Sequence, residues 1–209
     1  MHHSQKEKIT HISRWLGSGS INIFGLPYAG KDTHGRELAE LFGGELLGGG
    51  DILRNSTIPD NVKAAMDGGE LIPTEDYISI VLPYLSHHSF ENKPLILSSV
   101  GRWFGEEKGV IDATKKSGHP LKAVIHLSTD EAAVRRRFER AKIAGDRETR
   151  NDDADEILTK RLEEYRTKTV PVINAYRDMG LLLEIDGLPP REEVLNTIID
   201  ELFTLSQRD

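Results

Sequence analysis

Gly25-Leu26-Pro27-Tyr28-Ala29-Gly30-Lys31-Asp32-Thr33 decides how this chain folds. An apolar, strand-like run, Ile21-Asn22-Ile23-Phe24, leads into it, and a helix-like run, Arg36-Glu37-Leu38-Ala39-Glu40-Leu41-Phe42, leads out. Strand, glycine-bounded loop, lysine and helix in that order are the layout of a P-loop. In such a loop successive backbone N–H groups point inward at a polyphosphate. The helix N-terminus adds partial positive charge and the lysine adds a full one. The pattern G-x-x-x-x-G-K-[ST] holds through Lys31 and departs at Asp32, with a hydroxyl one place late at Thr33.

Apolar and helical periods alternate outward from this loop. Short apolar runs at 21–24, 95–97, 121–127 and 181–185, with a weaker one at 46–47, read as strands. Amphipathic stretches at 32–42, 74–86, 129–142, 153–178 and 190–205 read as helices. Strand–helix alternation predicts an α/β fold of parallel βαβ units with right-handed crossovers. Phosphate then belongs at the carboxyl edge of the sheet, where the first strand feeds the loop. A further helix is predicted over 6–16, ended by Gly17-Ser18-Gly19-Ser20, so residues 1–20 read as an N-terminal extension to one domain over 21–209. Pro171 lies inside a helical pattern and predicts a kink or break.

Composition limits the function. The chain has 209 residues, 37% hydrophobic and 29% charged, which suits one soluble domain. A net charge of -7 argues against a nucleic-acid or anionic-membrane surface, so any phosphate site must be a local concentration of positive charge. With no cysteine, disulfides, thiol nucleophiles and cysteine-ligated zinc are excluded. No apolar run approaches a membrane span, and Met1-His2-His3-Ser4-Gln5-Lys6 does not read as a signal peptide. The expected setting is cytoplasmic and monomeric.

Charge then concentrates in one region. Arg135, Arg136, Arg137 and Arg140 fall on a predicted helix, Arg147 and Arg150 in a polar stretch with Gly145, then Asp152-Asp153, then Arg161 on another helix. Arg136 and Arg140 are four apart and share a face. For any single arginine the plainer reading is a solvated, ion-paired face. The group, in an acidic protein with a phosphate loop, reads as guanidinium groups that close over phosphates. Two segments suit a second substrate. Gly48-Gly49-Gly50-Asp51-Ile52-Leu53-Arg54 reads either as a glycine-rich turn before a capped helix or as a contact for an acceptor. Leu95-Ile96-Leu97-Ser98-Ser99-Val100-Gly101-Arg102 puts a polar run and an arginine past a buried strand, on the loop's edge of the sheet.

In this order the pieces resemble the short-lid adenylate kinase family of nucleoside monophosphate kinases, over about residues 21–202. The family loop G-x-P-G-x-G-K-G-T falls on residues 25–33, and its G-D-x-[LI]-R on Gly50-Asp51-Ile52-Leu53-Arg54. G-x-[LI]-[VI]-P falls on Gly69-Glu70-Leu71-Ile72-Pro73. Of D-G-F-P-R only the arginine survives, in Ser98-Ser99-Val100-Gly101-Arg102. R-x-D-D matches Arg150-Asn151-Asp152-Asp153, K-R-L-x-x-Y matches Lys160-Arg161-Leu162-Glu163-Glu164-Tyr165, and T-x-P-[VL]-I matches Thr169-Val170-Pro171-Val172-Ile173.

The resemblance implies a P-loop NTPase-like three-layer fold with a five-stranded parallel sheet, an acceptor flap over about 48–80 and a short lid over about 141–152. It implies phosphoryl transfer from ATP, with Mg2+, to a nucleoside monophosphate, with no structural zinc, and assigns no direct protein ligand to the Mg2+. Gly25, Pro27, Tyr28, Ala29, Gly30, Lys31, Asp32 and Thr33 would bind ATP, with Arg136 and Arg140. Gly49, Asp51, Arg54, Glu70, Ile72, Ser99, Arg102 and Glu106 would bind the acceptor, with Arg150 and Arg161. Among the catalytic residues Lys31 would hold the donor phosphates, Arg102 would grip the acceptor phosphate, Arg136, Arg140, Arg150 and Arg161 would close on the transferring group, and Asp152 and Asp153 would orient the lid arginines or metal-bound waters.

The departures keep alternatives open. Tyr28 and Asp32 replace loop glycines, and Asp32 must either turn from the phosphates or help organise Mg2+. Ser98 replaces an aspartate that in the family holds the metal's water shell, and Gly49 a threonine near the acceptor base. Glu106 replaces an adenine-reading glutamine, and an ionised carboxylate, which only accepts, suits guanine better. AMP is the first expectation as acceptor. GMP, another small acceptor, or a non-catalytic nucleotide-binding role are the alternatives.

Overall fold

In the computed structural model the described residues are 4–54, 56–72, 74–85, 90–144 and 155–208. The run Ser20–Gly25 forms β1, buried along its whole length, as a strand covered on both faces must be. Four parallel strands join it: β2 (Glu45–Gly48), β3 (Leu95–Ser98), β4 (Leu121–Ser128) and β5 (Leu182–Asp186), in the order β2-β3-β1-β4-β5. Ile23 pairs with Ser98 on one side and Ile125 on the other. The chain leaves β1 toward β2 but leaves β3 toward β4, so the connections diverge between β1 and β3. The crevice outside the carboxyl ends of those strands is the topological switch point, where open α/β sheets take their ligands.

Alternation along the strands builds three layers. Ile21, Ile23, Ile96, Ile125 and Leu127 pack with Ile12 and Leu16 of α1 (Gln5–Leu16), Leu38 of α2 (Lys31–Phe42), and Ile198 and Leu202 of α10 (Arg191–Ser206). On the other face Phe24 and Val124 pack on Val172 and Tyr176 of α9 (Val170–Asp178). Leu95 and Leu97 pack on Val81 and Leu85 and on Val110. These belong to α5 (Thr74–Tyr84), whose numbering places Leu85 just past its end, and to α6 (Glu106–Lys116). Between β2 and α5 lie α3 (Gly49–Arg54) and α4 (Asp60–Asp67). No described helix is long and apolar enough to cross a membrane.

Several local details differ from the sequence expectations. The predicted helix over 153–178 is α8 (Asp155–Glu164), a π-helical turn (Tyr165–Thr169) and α9. Pro171 does not break the path. It has no N–H to donate, and the chain widens ahead of it, with the Val170 N–H bonded to Tyr165 O five residues back. α7 (Glu131–Ala144) runs through residues 141–144, which were expected in the lid, and residues 145–152 lie outside the described residues. α1 is stapled to α10 by Lys8 Nζ to Asp200 at 2.7 Å and Gln5 Nε2 to Asn196 at 2.6 Å.

Candidate active site

The phosphate loop is built by backbone conformation first. Gly30, at φ 105°, lies in the left-handed region where a side chain is strained, and α2 starts directly after it with Lys31. Tyr28 holds φ 61° without being glycine. Its ring lies edge-on to Phe138 of α7 at 5.3 Å, in a satellite core with Val134, Leu158 and Leu162. The bulky replacement therefore points away from the cleft. Arg137 grips the same loop from outside, donating to Ala29 O at 3.0 Å and Gly187 O at 2.6 Å. A trans peptide whose carbonyl faces Arg137 turns the Gly30 N–H the opposite way.

A cleft opens over the ends of β1 and β3. Gly25, Pro27, Lys31 and Asp32 form one wall. The Lys31 ammonium folds into the loop, donating to Gly25 O at 3.0 Å and Leu26 O at 2.8 Å. Asp32 Oδ1 accepts from Ser98 Oγ at 2.7 Å, which ties the start of α2 to the end of β3.

The floor is the turn from β3 to α6. Ser99 at φ 52° and Gly101 at φ 76° bend it sharply. Its backbone is braced from three elements. Asn22 of β1 donates to Val100 O at 2.7 Å and accepts from its N–H at 3.3 Å. The Gly101 N–H donates to the Tyr77 hydroxyl at 2.6 Å. Glu106 Oε2 accepts from the Arg102 and Trp103 amides at 2.8 and 3.0 Å. These bonds present Arg102 to the cleft. Burial and the neighbouring Arg161 guanidinium push the Arg102 pKa down to about 10, against the opposing pull of Tyr77, Glu106 and Glu164. Two neighbouring cations lining one cleft make a candidate anion site.

The opposite wall comes from the flap and α8. Arg54, Glu70, Ile72 and Gly49 line it, with Arg161, Glu164, Tyr165 and Thr169. Arg54 folds over Gly50, where an added Cβ would stand 3.3 Å from its guanidinium nitrogens. Glu164 Oε2 accepts from the Leu71 N–H at 3.3 Å and from Lys168 Nζ at 2.6 Å. Lys168 Nζ in turn stands 4.0 Å over the Trp103 ring. Among the described residues no three His, Cys, Asp or Glu side chains come together as a metal-binding group.

The adenylate kinase family model matches residues 23–181, a span that holds every segment of this cleft. The chain belongs to the adenylate kinase family. It is 34% identical to an adenylate kinase of Agrobacterium fabrum over 184 residues, covering 84% of this chain and 93% of that one. It is 33% identical to one of Leptospira biflexa, covering 86% and 97%. With one of Thermus thermophilus it shares 29% identity, covering 84% and 92%.

Within this adenylate kinase family member the cleft gathers Gly25, Pro27, Lys31, Asp32, Gly49, Arg54, Glu70, Ile72, Ser99, Arg102, Glu106 and Arg161 of the residues expected from sequence. Ala29 is buried behind the loop, and Thr33 is half-buried in the first turn of α2. Asp51 falls in α3. Arg136 and Arg140 stand exposed on α7, outside the cleft. Arg150, Asp152 and Asp153 lie outside the described residues. Asn22, Tyr77 and Glu164, given no role from the sequence, brace the site from a distance in the chain, and Arg137, expected among the arginines that close over phosphates, instead donates to the Ala29 and Gly187 carbonyls. Only the burial of Asn22 inside an apolar strand run could have signalled one of them, since a buried amide needs partners.

Proposed function

We propose that this chain is an adenylate kinase, transferring the γ-phosphoryl group of ATP to AMP to give two ADP. One observation carries the reading: the Lys31 loop and the paired cations Arg102 and Arg161 face the same cleft. Phosphoryl transfer asks the protein for alignment and charge neutralisation more than for covalent chemistry. Lys31 and the loop amides would hold the β- and γ-phosphates. Arg54 and Arg102 would hold the acceptor phosphate, and Arg161 would face the oxygens of the group in flight. Arg136, Arg140 and Arg150 would join them only on closure of the arm that carries them, with Asp152 and Asp153 as their orienting groups. Closure excludes water and so limits ATP hydrolysis.

Mg2+, carried in with ATP, supplies neutralisation of the phosphate oxygens, and the oxygen donors at the loop, Asp32 and Ser98, suit so hard a cation. The acidic, cysteine-free composition supports a monomeric, cytoplasmic setting. A GMP preference has one observation in its favour, the buried Glu106 carboxylate in the cleft. An ADP-release assay with ATP, Mg2+ and a panel of monophosphates tests the proposal. AMP is expected to give the highest kcat/KM. Tight ATP binding with no ADP from any monophosphate would overturn it in favour of a non-catalytic role.

A further inference from the structure

P-loops that hold Mg2+ against a triphosphate divide the work between two side chains: the hydroxyl of the Ser or Thr directly after the loop lysine, and a carboxylate at the end of a neighbouring strand. In this chain the carboxylate stands on the loop, where the family pattern has glycine after the lysine, and the strand end carries a hydroxyl. The residue after Lys31 is Asp32, and the polar residue that ends the neighbouring strand β3 is Ser98. They meet across the switch-point crevice, with Ser98 Oγ donating to Asp32 Oδ1 at 2.7 Å. Both line the cleft beside Lys31, and Ser98 is only 7% exposed.

We propose that Asp32 and Ser98 are the Mg2+-positioning pair of the ATP site, with the carboxylate carried by the loop rather than by the strand end. The inference rests on the kinase reading above and adds the group that reads the metal. Electrostatics gives the reason. Two negative charges a few ångströms apart repel at the effective dielectric of a protein surface. A carboxylate at the start of α2 is favoured by the helix dipole but opposed by a triphosphate in the same loop. A side chain with no task there would gain by turning to water. Asp32 instead is fastened inward by the Ser98 hydroxyl. A divalent cation between carboxylate and phosphate reverses the sign of the interaction, and Mg2+ takes oxygen ligands while keeping several waters that such a pair can hold. Thr33 does not replace Asp32, because it lies one residue further round the helix and outside the cleft lining.

The test compares the affinity of a non-hydrolysable imido analogue of ATP with Mn2+ and with EDTA, by calorimetry, in wild type, Asp32→Asn and the exchanged double variant D32S/S98D. Mn2+ stands in for Mg2+ and its electron paramagnetic resonance spectrum reports the bound ion. Wild type is expected to bind the Mn2+ complex at least tenfold more tightly than the metal-free analogue. Asp32→Asn should bring that ratio to within about twofold while metal-free binding holds or tightens, since a repelling charge has gone. D32S/S98D should restore the ratio and a bound-ion spectrum. An Asp32→Asn protein that keeps the wild-type ratio overturns the proposal. So does one that loses binding equally with and without metal, which would make Asp32 a brace for the loop. If Asp32→Asn fails to melt cooperatively, the double variant decides, and a double variant without the ratio also overturns it. Wild-type ADP formation from ATP and AMP, assayed in parallel, reports on the kinase reading separately.

Discussion

Arg102 sets function against stability. Its guanidinium is held charged in a desolvated cleft beside a second cation, so the pKa of about 10 lies well below the ordinary arginine value. A cation whose folded-state pKa is depressed costs stability fully below that pKa, and the cost fades as pH rises through it. Arg102→Met keeps the apolar stem and removes the charge. It is expected to lower kcat/KM for the acceptor by about a hundredfold or more. The ligand-free Tm should rise by about 2–6 °C at pH 8, and the gain should shrink by pH 10.5. A Tm that falls at pH 8 would show that the charge is not costly. Glu106 gives a second test at this scale. It holds the Arg102 and Trp103 amides with one carboxylate oxygen, a task that a glutamine carbonyl can also do. Glu106→Gln should therefore fold normally and shift kcat/KM toward AMP relative to GMP by about tenfold. A ratio steady within about twofold would confine Glu106 to bracing the turn.

Among the elements, α7 and α8 lean on the phosphate loop through the Tyr28 ring and the Arg137 guanidinium. Tyr28 carries the strain of a left-handed backbone, about 1 kcal/mol for a non-glycine residue, and offsets it by packing on Phe138. Tyr28→Gly relieves the strain but empties a place in the cluster of Val134, Phe138, Leu158 and Leu162. The net loss should be about 2–3 kcal/mol in urea unfolding. Equal or higher stability in the variant would mean that the ring does not anchor the two helices. Strands were legible in the sequence because each is a short apolar run buried on both faces. Helices α4 and α6 were not singled out. α4 buries only Val62, and α6 carries Gly109 and buries two glutamates, so neither shows a clear apolar stripe. Lys31, Arg54, Arg102 and Arg161 were legible because charge at fixed spacing survives in a linear reading. The braces Asn22, Tyr77 and Glu164 act on backbone 78, 24 and 93 residues away, a separation that no local pattern records. Pro171 was legible as an irregularity, but its resolution into a π turn depends on the tertiary packing of α9.

Across the described residues, the contacts that join distant parts of the chain at the cleft include Asp32 to Ser98, Gly101 to Tyr77, Leu71 to Glu164, and Lys168 to Trp103. We expect the acceptor flap and the lid to close over bound nucleotides. A bisubstrate analogue that links two nucleosides through phosphates is expected to slow hydrogen exchange over both 48–80 and 141–152, as well as 25–36. Protection confined to 25–36 would argue against a site for two substrates. The joint between α1 and α10 carries a different consequence. Lys8 and Asp200 meet although 192 residues separate them, and the apolar side of α1, with Ile12 and Leu16, has its cover on α10. On the ribosome α1 emerges long before that cover is synthesised. A contact of such high sequence separation forms late, so the joint between α1 and α10 closes only after α10 has been made.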